Sequence, residues 1–575
     1  MSCTAIPGTV SNGGFTCKRE SSNLLQVNEN TMTDQRSSHH VSNGDFRILR
    51  SAQRVLLILA GILLFSIRSS GQLSTDRIDA LVEEAMDKFH VAGVAVGIVK
   101  DGEVILARGY GVRSVDTGVP VDAHTSFAIA SNSKAFTTTA LALLVEEGKI
   151  SWKDRVVDHI PEFRMYDDYV TQHFNIQDLL THRSGLGLGA GDLQKWPAGS
   201  DFTIDDMLVN FQYFEPVSAF RTQYDYDNIL YLVAGELIRR VSGQPWQEFV
   251  RERIMEPLGM DHSYTLPPGM TGAEDLAVPH LYSDGRLKTI PYYELDPEKT
   301  NGAAGGVLSN AEDLCRWMLL HLNGGRYGQN LEKQLFSPSS QEEMWSIHTP
   351  MSVRSHPRYR SRFSGYGLGW RLADMAGYFT VSHTGDLSGM LSKTFMVPDL
   401  DLGVVVLTNS YYGGGPLFQA VSQTIVDSYL GMEAFDWTTY YLERFESGQG
   451  VASEAVTRVW ETVHNGRHEF DPDDYLGTYA DPWFGRVRVT LNEGQLWFAS
   501  ERSPRLTGPM LHYKATTFAI PWEFREMDAD AFAIFGLDEE GKAVSIRMKG
   551  ISPDIDFSYD FQDLHFTRIT ENSGE

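Results

Sequence analysis

Ser131-Asn132-Ser133-Lys134, followed in order by Tyr226-Asp227-Asn228 and His383-Thr384-Gly385, decides how this chain is read. The first fragment follows Ile129-Ala130 and opens an apolar run from Ala135 to Val145 that reads as a buried helix. That periodicity puts Ser131 and Lys134 one turn apart on one face. A serine hydroxyl is a weak nucleophile and needs an adjacent base, and a lysine serves as that base only if burial or a neighbouring charge lowers its pKa. A serine three residues before a lysine is expected about once by chance in such a chain. Here the spacing occurs once, and at a helix start, where the N–H of Ser131 and the helix dipole both favour a developing oxyanion.

The other two fragments supply partners for that pair. Tyr226-Asp227-Asn228 precedes the helical run Ile229 to Val241 and so projects from a loop just before a rigid element. A phenol near a lysine ammonium has its pKa lowered and can act as base toward the serine or as acid toward a leaving group. Asn228 is expected to donate to a substrate carbonyl. His383-Thr384-Gly385 ends a predicted strand; Gly385 would let a substrate backbone approach, and the N–H of Asp386 is the candidate second oxyanion donor. A triad of Ser382, His383 and Asp386 is excluded, because neighbouring strand residues point to opposite faces.

These pieces, in this order, resemble the serine β-lactamase and penicillin-binding protein superfamily, whose motifs include S-x-x-K, a Tyr-x-Asn and K-T-G or H-T-G. The likeness is greatest to the branch with class C β-lactamases, D-alanyl-D-alanine carboxypeptidases, D-aminopeptidases and esterases. Leu180-Thr181-His182-Arg183-Ser184-Gly185-Leu186, Gly305-Gly306-Val307-Leu308-Ser309 and Tyr366-Gly367-Leu368-Gly369-Trp370 fit that branch too, over roughly residues 73–432. The resemblance implies Ser131 as nucleophile, Lys134 and Tyr226 as the groups that move protons, and His383 with Thr384 on the substrate strand. It implies an acyl-enzyme then hydrolysed by water, with no metal or cofactor. His383 stands where class C β-lactamases carry lysine, and imidazole is the weaker carboxylate anchor. That favours a peptidase or esterase over a β-lactamase; a β-lactamase, or a penicillin-binding sensor that acylates without turnover, is the alternative.

The rest of the chain bounds this reading. With 575 residues, 42% of them hydrophobic, more than one packed core is expected. A net charge of −26 argues against nucleic acid as a partner, and the resemblance implies a small peptide, amide or ester as substrate. Residues 1–40 are polar and aperiodic. Arg47, Arg50 and Arg54 then precede the apolar run 55–67, which suits a signal peptide cleaved before Gln72, hence export; a retained short membrane anchor is the alternative. Cys3 and Cys17 lie upstream of that cut, leaving Cys315 as a core residue in an apolar-periodic segment. Residues 72–432 are expected to form an α+β domain, an antiparallel sheet flanked by helices with a mostly helical insertion. Residues 433–470 read as a helical linker. Short strands with turn signals over 471–569 predict a small all-β barrel, and Tyr475 to Tyr479 with Trp483-Phe484-Gly485 give it a lipocalin-like look.

Overall fold

The computed structural model describes residues 72–569 apart from 266–274, 293–299, 388, 467–469 and 526–527. The signal-segment reading of residues 55–67 and the proposed cut lie outside these described residues. No helix among them is long and apolar enough to cross a membrane.

The amphipathic segment after Ser74 forms α1 (Thr75–Phe89), which buries Ile78, Val82, Ala85 and Phe89. It leads into the hairpin β1 (Gly93–Lys100) and β2 (Glu103–Gly111). The apolar run from Ala135 becomes α2 (Ser133–Glu146), buried on nearly every side. A helix apolar all round belongs in the middle of a domain. It does not begin at Ser131, as the sequence suggested: Ala130 takes a positive φ of 49°, and Ala130–Asn132 form a single 3₁₀ turn ahead of the helix. Two further helices complete this layer, α3 (Ile229–Ser242) and α4 (Ala311–Leu322), the latter holding the fully buried Cys315.

The remaining sheet strands follow as β3 (Thr349–Pro350), β4 (Ser364–Tyr366), β5 (Arg371–Met375), β6 (Tyr378–Leu387), β7 (Met390–Val397) and β8 (Leu402–Thr408). The spatial order is β3-β4-β5-β6-β7-β8-β1-β2, every pair antiparallel. The N-terminal hairpin is thus joined to strands from the far end of the domain, with Val94 opposite Thr408 and Lys100 opposite Leu402. α1 and α5 (Gly414–Tyr429) cover one face, and the core around α2 and α3 covers the other. β1 therefore reads as a continuous apolar run, because both its faces are buried.

α6 (Trp437–Asn465) leads to nine strands: β9 (Gly477–Asp481), β10 (Gly485–Asn492), β11 (Gln495–Ser500), β12 (Thr507–Pro509), β13 (Leu511–Lys514), β14 (Thr517–Ile520), β15 (Ala531–Leu537), β16 (Ala543–Gly550) and β17 (His565–Ile569). Their order, β12-β11-β10-β9-β17-β16-β15-β14-β13, makes a nearly closed antiparallel barrel. Tyr479, Phe498, Phe518, Phe535 and Phe566 fill its interior as a packed core. The catalytic-type domain and the barrel belong to one compact unit, Gly71–Glu575.

Candidate active site

Ser131, Lys134, Tyr226, Asn228, His383, Thr384, Gly385 and Asp386 all line or abut one cavity of about 1000 Å³. Three elements deliver them: the 3₁₀ turn before α2, the loop before α3 and the far half of β6. The turn is held from behind. Asn132 Nδ2 donates to Ser392 Oγ at 2.8 Å, which donates to the Ile129 carbonyl at 2.7 Å, and Val307 N–H donates to Ser133 Oγ at 3.0 Å.

Lys134 is fully buried. Its Nζ lies 3.0 Å from Ser131 Oγ, 2.7 Å from Asn228 Oδ1 and 2.9 Å from the Ala304 carbonyl. Burial, with Lys195 and Arg371 adding like charge, holds the lysine well below its usual pKa, against the opposing pull of Asp192 and Asp227. A neutral amine has two hydrogens and one lone pair. The Ala304 carbonyl can only accept. Asn228 presents its oxygen as well, because its Nδ2 donates to Asp192 Oδ2 at 2.7 Å. In its neutral form both amine hydrogens would thus have acceptors, and the lone pair would be left for the Ser131 hydroxyl.

Tyr226 lies against the same ammonium position, its ring centroid 4.7 Å from Lys134 Nζ. The lowered phenol pKa expected from the sequence is not found. Burial raises it well above its usual value, with the Ser131 hydroxyl pulling the other way, and burial holds the lysine that was to lower it well below its own usual pKa. Tyr226 is therefore a protonated phenol, able to donate and unsuited to act as the base. His383 differs from expectation too. Its Nδ1 meets the Thr384 carbonyl at 2.7 Å, so Nδ1 carries the hydrogen and Nε2 accepts from the Tyr366 hydroxyl at 2.9 Å. Burial, Arg371 and Lys134 keep the ring neutral. With both nitrogens engaged, it does not act as a cationic anchor.

Gly385 has a different reason from the one the sequence suggested. A Cβ there would collide with the Ile129 carbonyl oxygen and approach Ser392 Oγ, so the glycine admits the nucleophile's own turn rather than a substrate backbone. Asn228 is engaged at both ends of its amide, with one Nδ2 hydrogen left for a substrate carbonyl. Thr384 and Asp386 face the cavity. The crowded cleft and then Asp556 push the Asp386 carboxyl up to about 8, a push softened by the side chain's exposure to cavity water.

Other residues of the site carried no motif. Arg371, on β5, lines the cavity with its guanidinium 5.8 Å from the Tyr224 ring and 5.9 Å from that of Tyr226, and its buried Nε has no hydrogen-bond partner among the described residues. It follows directly on the fragment Tyr366 to Trp370, and a cation in a half-buried strand was the available signal. The barrel also contributes Asp556, Phe557 and Ser558, with Phe557 edge-on to Tyr226 at 5.7 Å between centroids.

Known proteins resemble this chain in sequence and in fold. The family model described as Beta-lactamase matches residues 78–421, and one described as a domain of unknown function (DUF3471) matches 466–568. Unguisins hydrolase ungD' of Aspergillus campestris is 27% identical over 459 residues, covering 74% of this chain and 80% of the relative. Protein flp of Staphylococcus aureus is 26% identical over 351 residues, covering 58% of this chain and 63% of its own. The octameric penicillin-binding protein homologue from Pyrococcus abyssi shares the fold with a TM-score of 0.53 at 21% identity, over 83% of this chain and 98% of that one. EstCE1, a hydrolase with promiscuous acyltransferase activity, shares it with a TM-score of 0.50 at 20% identity, over 61% and 97%.

Proposed function

The chain belongs to the beta-lactamase family, and from that premise we propose that it hydrolyses a small amide, peptide or ester through an acyl-enzyme on Ser131. One observation carries this reading: the fully buried Lys134 Nζ lies 3.0 Å from Ser131 Oγ and is placed against two acceptors, Asn228 Oδ1 and the Ala304 carbonyl. Lys134 takes the Ser131 proton as Oγ attacks the carbonyl carbon. Tyr226 gives its phenolic proton to the leaving nitrogen or oxygen as the bond to the acyl carbon breaks. A proton passing from the Lys134 ammonium to the Tyr226 phenolate resets the pair, and water then releases the acid. Arg371, half-buried beside Tyr226 with no hydrogen-bond partner for its Nε among the described residues, favours a leaving group that carries a carboxylate, so a short peptide is the preferred substrate class over a neutral ester.

Incubation with a fluorophosphonate or a fluorescent penicillin tests this: the label attaches to Ser131, and Ser131→Ala abolishes it. Labelling that survives the substitution places the nucleophile elsewhere. A panel of D-amino-acid peptides, p-nitrophenyl esters and a chromogenic cephalosporin ranks the substrate classes, and a burst of one product per enzyme without turnover would mark a sensor instead. Because Lys134 must be neutral, the acid limb of kcat/KM is expected well below the ordinary lysine range. An acid limb near pH 10 would remove the lysine from the role of base. Export remains part of the proposal on the apolar run 55–67, and an N-terminus at Gln72 in the exported protein is its test.

A further inference from the structure

The barrel touches the catalytic-type domain at a point that matters for Lys134. Asp560, between β16 and β17, is fully buried, and its two carboxylate oxygens accept from Gly191 N–H at 2.7 Å and Leu193 N–H at 2.8 Å. These two amides flank Asp192. Gly191 holds a φ of 84°, a left-handed conformation that a side chain disfavours, so the turn relies on outside ties. Asp192 is itself fully buried and accepts from Asn228 Nδ2 at 2.7 Å, and its other oxygen has no hydrogen-bond partner among the described residues. Lys195 and the Ser558 hydroxyl of the barrel also act on this carboxylate, and the turn beneath it sets where its backbone sits.

We propose that Asp560 of the barrel is a positioning residue for the Lys134–Ser131 pair, acting through the Gly191–Leu193 turn, Asp192 and Asn228. The inference rests on the reading of Lys134 as the base. The chain of contacts fixes which way round the Asn228 amide sits. An amide has near-identical shape with its oxygen and nitrogen exchanged, and only its partners decide. Asp192 Oδ2 accepts from Nδ2, which leaves Oδ1 for Lys134. Without Asp192 in place the amide is free to turn its Nδ2 toward the lysine. A neutral lysine then accepts that hydrogen with the lone pair that Ser131 requires. The barrel thereby governs proton transfer from a distance, separately from whatever Phe557 does at the cavity mouth.

The test compares the full-length chain with Asp560→Ala, Asp192→Ala and the double variant. Each is first titrated by the mass of its fluorophosphonate adduct, so that rates refer to competent sites. The acylation rate per competent site is expected to fall tenfold or more in each single variant. With a p-nitrophenyl ester the loss falls on kcat, with KM within about twofold of wild type. The double variant is expected to match the singles within about twofold, because both act through one amide. The acid limb of the rate is expected to move to lower pH in both singles. The charged groups acting on Lys134 are Lys195, Asp192, Asp227 and Arg371, and Asp192 is one of those that favour its protonated form. A purely structural tie would lower the competent fraction and leave the per-site rate and pH profile unchanged, which overturns the proposal. Multiplying losses in the double variant overturn it as well. If Asp560→Ala fails to fold, Asp192→Ala with an intact barrel carries the same prediction, and a wild-type per-site rate there is equally fatal. Absence of any label on wild-type Ser131 would instead defeat the hydrolase reading itself.

Discussion

Tyr226 is held by a single residue from three directions. The His182 carbonyl accepts from Asp225 N–H at 2.9 Å, its Nδ1 accepts from Asp227 N–H at 3.0 Å, and its ring lies 4.1 Å from the Tyr226 ring. His182 also adopts a φ of 53°, a conformation asparagine tolerates and phenylalanine does not. His182→Asn is therefore expected to keep the acceptor and backbone while losing the stack, with kcat reduced a few-fold. His182→Phe leaves the buried Asp227 N–H unpaired at a cost of about 1–3 kcal/mol and should lower kcat by at least tenfold more. Equal kcat values for the two variants would show that the imidazole acceptor does nothing for Tyr226. The sequence already displayed Ser131, Lys134 and Tyr226, because their chemistry is written in residue type and spacing. It displayed His182 only as part of a matching string. Arg371 was silent because a lone arginine on a strand looks like any half-exposed cation until its Nε is seen buried with no hydrogen-bond partner among the described residues.

Among the strands, β7 carries a residue at odds with its surroundings. Lys393 is buried against α5, donating to Gln419 Oε1 at 2.6 Å, and burial lowers its pKa to about 7. Its unfolded value is the ordinary 10.5, so between these pH values the unfolded chain binds the extra proton. Stability contributed by this site therefore rises with pH from about 7 to 10.5, at ~1.4 kcal/mol per pH unit for an isolated group. Lys393→Met is expected to raise the thermal midpoint at pH 7, with the gain over wild type shrinking toward pH 10. Calorimetry at the two pH values checks this, and an equal shift at both would mean the lysine is not titrating as described. Elements such as β6, β7 and β8 were visible in advance from apolar runs between turn signals. β12 and β13 were not, being three and four residues long and interrupted near Pro509, too short for any periodicity to register.

At the scale of the whole molecule the two domains share an aromatic seam. Phe202 and Phe214 of the catalytic-type domain face Phe484 and Trp483 of the barrel at 5.7 and 4.7 Å between centroids, and Arg502 stacks over Phe202 at 3.8 Å while bonding Asp206. Trp483→Ala removes a buried indole, typically worth about 3–5 kcal/mol. Calorimetry is expected to show it loosening the barrel first, as a separate low-temperature unfolding transition. A variant that still melts with the wild-type profile would mean the seam does not couple the domains. Nothing local in the sequence announced these contacts, since Phe202 and Phe484 are typical core residues of their own segments and their meeting depends on tertiary packing alone. The tie between Asp560 and the Gly191–Leu193 turn also has a consequence in time. A ribosome adding 5–20 residues per second needs roughly nine to thirty-five seconds to travel from His383 to Asp560. Throughout that interval the nascent chain holds the whole serine, lysine and tyrosine set without the brace beneath its lysine, so on the proposal above the hydrolase works at a fraction of its final rate until the barrel emerges and closes.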